Sequence, residues 1–269
     1  MGSEMCIRDS SWRVSHRCQY SMTMGRHSSS PLLCFRLVIV RWIPRPVNVL
    51  AFETSSEQGA LALQVGEEIS EVLIESPRQQ TEQLLPFAQQ LLATAELRLA
   101  DLDGIAFGCG PGSFTGIRIA AAAVQGLGLA SGLPLLPVSS LAVIAQGLRR
   151  SHGVANSLVC VNAHMGEVFW AVFEIQEGLA RLLGEERLTA PESVNSAGLS
   201  AWAAAGSGFQ AYEKILAPMS VAASEVWGEA RPCARDVLAQ ATADLVAGRG
   251  RLPEGAIPVY LRSEAAWEK

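Results

Sequence analysis

From residue 47 onward the chain runs twice through one order of elements, and that repetition narrows its fold more than any other feature of the sequence. The runs 49–52, 59–65 and 68–74 are short and apolar or alternating, as strands are. Over 81–95, Leu84, Ala88, Leu91 and Ala95 recur at helical spacing with Leu85 and Leu92 beside them, which predicts an amphipathic helix. Pro86 is tolerated only near a first turn, so the regular helix is expected to begin around Leu85. A buried strand at 105–108, a helix over 113–130, a strand at 135–138 and a helix over 140–148 follow. Arg149, Arg150, Ser151 and Gly153 read as a linker, after which three strands come again at 158–161, 167–173 and 179–188. A strand at 201–205 then meets Gly206-Ser207-Gly208, much as 105–108 meets Gly110-Pro111-Gly112. The later helix over 234–247 carries Val237, Leu238, Ala241 and Leu245 on one side, with Gly248 as its stop.

Two copies of a βββαβα unit predict an α/β chain with the two-lobed, actin-like order of the actin, hexokinase and Hsp70 class, an RNase H-like frame. The lobes are expected at 47–150 and 151–269. Apolar residues make up 49% and charged residues 17% of the chain, which suits a packed core rather than disorder. The net charge of −5 supplies no basic field to hold a phosphate backbone, so any nucleic-acid role is expected to run through another protein. Cys6, Cys18, Cys34, Cys109, Cys160 and Cys233 show neither a C-x-x-C pair nor a regular spacing, which fits a reducing, cytoplasmic setting. Residues 1–46 are rich in Ser, Arg and Met and hold Trp12 and Trp42 without periodicity. Glu4 and Asp9 spoil a targeting peptide, so this leader reads as a misplaced start or as sequence fused ahead of a natural beginning near Val47. The apolar stretch 32–43 carries Arg36 and Arg41 and is well short of the ~20 residues a membrane helix needs, so no membrane partner is expected.

The most specific local pattern is Gly110-Pro111-Gly112-Ser113-Phe114-Thr115-Gly116-Ile117-Arg118, between a buried strand and an Ala-rich helix. Its glycines allow a tight turn, Ser113 or Thr115 can cap the first helical turn, and N–H groups there attract anions. The pattern suits either a phosphate or carboxylate cradle or a capped helix with glycines chosen for close packing, and it lacks the Lys of a Walker loop. Glu53-Thr54-Ser55 closes the first strand, where a carboxylate would orient a metal or water, or simply face solvent in a polar turn. The matching point of the second half is Asn162, an amide, which weakens a kinase reading. His16, His27, His152 and His164 form no i, i+4 pair, so no metal site is expected. Ala120 to Ala123, Gly126 and Gly128 give the second helix small side chains and predict a close helix–helix seam, inside the chain or between chains.

Together, 49–55, the Gln83-Leu84-Leu85-Pro86 helix start, Gly110 to Arg118, Val138-Ser139-Ser140-Leu141, 165–170, Gly206-Ser207-Gly208-Phe209 and Pro258-Val259-Tyr260-Leu261-Arg262 closely resemble the TsaB (YeaZ) family over about 47–267. The resemblance implies a non-catalytic, scaffold-type partner of the TsaD transferase. With TsaD and the ATPase TsaE it would act in forming N6-threonylcarbamoyladenosine at position 37 of tRNAs that read ANN codons. It implies that no catalytic residue and no cofactor belong to this chain alone, that ATP or ADP sits at the assembled interface, that tRNA is met only through the complex, and that the chain pairs with itself when alone. The family's seam of two helices maps onto Leu84, Leu85, Ala88, Leu91, Ile117, Ala120, Ala121 and Val124. The candidate nucleotide or anion loops read from the residues are Glu53, Thr54, Ser55, Gly110, Gly112, Ser113, Thr115, Arg118, Gly206 and Gly208. The chain departs from the usual pattern at Glu53 and Asn162, where Asp is common, and at Gln80, where a His often stands. An M22-type glycopeptidase and a small-molecule kinase of the actin-like class are the alternatives.

Overall fold

The computed structural model describes residues 46–199 and 201–262. The expectations placed on residues 1–45, including Cys6, Cys18, Cys34, His16 and His27, and on Trp267 lie outside them.

The first half supplies β1 (Asn48–Glu53), β2 (Gly59–Val65), β3 (Glu68–Ile74), α1 (Pro77–Thr94), β4 (Gly104–Gly110), α2 (Phe114–Ser131), β5 (Leu135–Ser139) and α3 (Ser140–His152). The second supplies β6 (Asn156–His164), β7 (Glu167–Gln176), β8 (Leu179–Thr189), β9 (Ala203–Ala205), α4 (Gly208–Ala211), α5 (Glu213–Ala222), β10 (Val226–Trp227) and α6 (Ala234–Val246). The sheet orders are β3-β2-β1-β4-β5 and, read in the matching direction, β8-β7-β6-β9-β10. In each, the central strand is antiparallel to the second and parallel to the fourth of its series. That equivalence is the expected duplication, and the fold is the two-lobed actin-like one. Among the described residues its second copy has no α-helix before its fourth strand: between β8 and β9 there is a 3-10 turn at Pro191–Ser193.

β1 is buried along both faces because helices cover both. Leu50 and Phe52 enter a core with Leu84 of α1 and Ala120 and Val124 of α2, while Val49 and Ala51 meet Val237, Leu238 and Ala241 of α6. α3 places Val143 against the first sheet and Leu141, Ile144 and Leu148 against Val159, Ala171 and Phe173 of the second. The far face of the second sheet packs Trp170, Trp202, Phe209 and Leu216 together, which brings α4 and α5 onto it. The layers therefore run α1/α2, first sheet, α3/α6, second sheet, α4/α5. α2 is long and apolar enough to be weighed as a bilayer span by composition. Six of its residues are buried on one side, and Ser113 and a left-handed Gly132 cap its ends.

Two boundaries differ from expectation. α1 begins at Pro77, a residue suited to a first helical position, and Pro86 lies inside it. Pro86 and Glu82, whose carbonyl loses its partner there, are both exposed, so water can take up the freed group. Arg149, Arg150 and Ser151, read as linker, are the last turn of α3, where cations complement the carbonyl end before Gly153 stops the helix at φ 70°.

Candidate functional site

The loops after the central strands of both sheets face one another across a cleft of about 910 Å³. Ser55, Ser113 and Phe114 line it from the first half, Asn162, His164 and Ser207 from the second. The segment after α6 contributes Tyr260 and Arg262 to the same wall.

On the first-half side the glycines are explained by backbone contact. A Cβ on Gly116 would lie 1.8 Å from the Thr54 carbonyl oxygen, and one on Gly112 would lie 2.5 Å from that of Ser55. The contact is stitched by three hydrogen bonds: Thr54 Oγ1 to the Gly116 carbonyl (2.7 Å), Ser113 N–H to the Ser55 carbonyl (2.8 Å), and Gly116 N–H to Ser113 Oγ (3.3 Å). Part of the N–H set that would draw an anion thus already serves the fold. Thr115 and Arg118 are exposed. The Arg118 guanidinium lies 3.6 Å over the Phe114 ring, and its Nε donates to Tyr260 Oη at 2.8 Å, so it serves an aromatic cluster beside the loop. The second half repeats the device. Cβ atoms on Gly206 and Gly208 would lie 2.5 Å from the Cys160 carbonyl oxygen and from its Sγ, respectively.

Glu53 is wholly buried, and its Oε1 accepts the Ser55 N–H at 2.6 Å. Its Oε2 makes no hydrogen bond and occupies the space that a side chain at Gly108 would need. Burial pushes this carboxyl above the ordinary carboxylate range, against the pull of Ser55 and Ser140. Asn162 Oδ1 accepts the His164 N–H at 2.9 Å, the same two-residue span as Glu53 to Ser55. The polar groups at the two equivalent strand ends both brace their own turns. The expectation of an exposed polar turn at Glu53 is corrected: it is a core carboxyl.

Among the described residues the cysteines add no nucleophile. Cys109 and Cys160 are buried, and burial pushes the thiols of Cys109, Cys160 and Cys233 up to about 12 each, with Glu186 and Glu53 adding to it at Cys109. Among the described residues no three His, Cys, Asp or Glu side chains gather as a metal would need. His164 is exposed, and the His152 ring stacks on Trp227 at 3.6 Å. Gln80 is buried, and its amide donates to the Ser56 and Glu57 carbonyls, tying α1 to the β1–β2 turn.

The apolar stripes of α1 and α2 face inward. Leu84, Ala88, Leu91, Ile117, Ala120, Ala121 and Val124 are buried in the chain's own core, because the apolar stripe of each helix faces the first sheet. Of that set only Leu85 is exposed. The solvent side of α2 is instead Phe114, Thr115, Arg118, Ala122, Gly126 and Leu129. The sequence also gave no role to the segment after α6. Arg262 Nη2 donates to Glu167 Oε2 (2.7 Å) and to the Ala163 carbonyl (3.1 Å), while Val259 N–H donates to the Cys109 carbonyl (2.8 Å). These contacts join the tail to both halves; the Tyr260 and Arg262 in Pro258–Arg262 were the available signal.

A family model described as TsaD, tRNA N6-adenosine threonylcarbamoyltransferase, matches residues 73–246. A protein of Escherichia coli K12 named tRNA threonylcarbamoyladenosine biosynthesis protein TsaB is 35% identical over 228 residues, which cover 83% of this chain and 98% of that one. Its namesake in Haemophilus influenzae is 30% identical, covering 83% and 97%. The chain belongs to the TsaB family, within the wider group that the TsaD model describes. The solved structure of YeaZ from Pseudomonas aeruginosa superposes with a TM-score of 0.74 at 35% identity, covering 80% of this chain and all of that one. The TsaB relationship therefore spans both sheets and the cleft.

Proposed function

We propose that this TsaB-family chain acts in the formation of N6-threonylcarbamoyladenosine in tRNA as a non-catalytic partner of TsaD, working with TsaE. The observation that carries this reading is the inward placement of Glu53 and the matching use of Asn162: the groups best placed for chemistry at the cleft are engaged in folding. A net charge of −5 agrees with tRNA being met through the complex. The docking face is the exposed side of α2, whose Ala122 and Gly126 allow another helix to approach closely. Self-pairing on the same face in the partner's absence, ATP or ADP at the assembled interface and a cytoplasmic setting belong to the same reading. The kinase alternative would draw on carboxylates at the two central strand ends, where Glu53 is buried and Asn162 is an amide, and the glycopeptidase alternative would need a bound metal.

The test is a tRNA modification assay with purified components. The chain alone is expected to give no modified adenosine, and its addition to TsaD and TsaE is expected to raise the yield. Modification by the chain alone would refute the proposal.

A further inference from the structure

Ser139 and Ser140 open α3, the helix that leads from the first half into the second, and each meets an acid withdrawn from water. Ser139 Oγ accepts the Ala142 N–H at 3.2 Å as the helix cap and donates to Glu186 of β8, across in the second sheet. Ser140 is buried; its Oγ accepts the Gly110 N–H at 3.2 Å, and Glu53 of β1 bonds to the same side chain. Past Gly110 come Pro111, Gly112 and Ser113, which line the cleft. Two adjacent hydroxyls therefore connect the edge strand of the second sheet to the first-half rim. Glu186 reaches α3 because β8 bulges: Trp170 pairs with Arg187 and Val172 with Leu183, which leaves Gly184, Glu185 and Glu186 opposite Ala171 alone. Gly184 supplies the turn, at φ 87°.

Cys109 of β4 lies in the field of both Glu186 and Glu53, with Arg251 of the tail offsetting them. On β8 itself Glu185 and Arg187 pair with each other at 3.2 Å. α3 carries no ionisable side chain before Arg149; Asp236 of α6 is held by Arg150 near α3's far end, and Glu167 of β7 by Arg262.

We propose that this joint is a proton-operated clamp: the state of the Glu186 carboxyl sets how firmly the second sheet holds the start of α3 and, through Ser140, the cleft rim. Neutral, the carboxyl still accepts the Ser139 O–H through its carbonyl oxygen and gives up no charge hydration. Ionised, it meets the favourable end of the α3 dipole but must forgo water, and burial outweighs the pull of Ser139, raising Glu186 above the ordinary carboxylate range. A group so raised contributes its full stabilisation below the unfolded carboxylate value and loses it as pH climbs through the folded one. The clamp therefore slackens with rising pH.

Amide hydrogen exchange, resolved by residue with nuclear magnetic resonance, is followed from about pH 5 to about pH 9 in the full chain and in Glu186→Gln, which keeps an acceptor for Ser139 and cannot titrate. Base catalysis of exchange is common to both, so it cancels in the rate ratio of parent to variant. That ratio is expected to climb with pH at Ala142 and Gly110, by at least about threefold in all and by no more than about tenfold per pH unit. It is expected to stay level at Ala204, whose N–H bonds the Glu225 carbonyl on the side of β6 away from β8. Glu185→Gln, altered at the exposed neighbour, is expected to follow the parent. A level ratio at Ala142 would overturn the clamp. So would a rise at Ala142 with none at Gly110, which would sever it from the rim, or an equal rise at Ala204, which would make it a general loosening.

Discussion

Glu53 shows how a single longer side chain changes the end of a strand. Its carboxyl reaches past the turn into the gap over Gly108 and is enclosed there with one oxygen unpaired. Glu186, which accepts from the N-cap hydroxyl of Ser139, is also raised by burial. An acid whose folded pKa is raised binds its proton more tightly in the folded chain. Its stabilising contribution is complete below the unfolded carboxylate value and is lost as pH climbs through the folded one. Glu53→Gln removes this dependence at one site. The melting temperature of the variant relative to the parent is expected to rise between pH 4.5 and pH 8; a constant difference would mean that Glu53 does not titrate in that window. Sequence alone identified the position and its partner Asn162, since both follow the first strand of a repeat. It could not tell an exposed acid from an enclosed one, because that depends on Gly108, a residue fifty-odd positions away that packs beside it only after β1 and β4 pair.

At the scale of elements, apolar periodicity was sufficient to find the strands and the long helices, since the burial of one stripe per helix is what makes them fold. It did not say what that stripe faces. Leu84, Ala88, Ala120 and Val124 mark the inner side of α1 and α2, so a charge placed at Ala121 or Val124 would disrupt the core before it disturbed any partner. α5 escaped notice because Pro218 lies within it, and short β10 has only two residues. α3 outran its expected end because Arg150 has a distant reason to stay helical: its Nε and Nη2 clasp the buried carboxylate of Asp236 on α6 at 2.7 and 3.0 Å. Arg150→Ala strands that carboxylate. A loss of about 2 kcal/mol is expected from denaturant unfolding, below the usual range for a broken buried pair because Arg150 is itself half-exposed. A change under about 0.5 kcal/mol, the usual surface value, would mean that water already solvates Asp236.

Over the whole molecule, the tail is a strap between halves, fixed to the first at Cys109 and Gln125 and to the second at the β6–β7 turn. Arg262→Ala is expected to speed amide exchange at Val259, measured by mass spectrometry, with little change in the melting temperature. Unaltered exchange there would mean that the α2 side alone holds the strap. The duplicated order of the halves was legible from the sequence, whereas this strap was not, since Pro258-Val259-Tyr260 carries no period and gains its structure only from the surface beneath it. The position of α6 has a consequence of another kind. The first sheet is made from early sequence, yet Val49, Ala51, Ala62 and Ala106 are covered on one side by a helix that begins at Ala234. While the polypeptide is being synthesised, the part of that side which α3 leaves uncovered stays bare until α6 has emerged, so the nascent chain must be shielded or remain loosely structured until then.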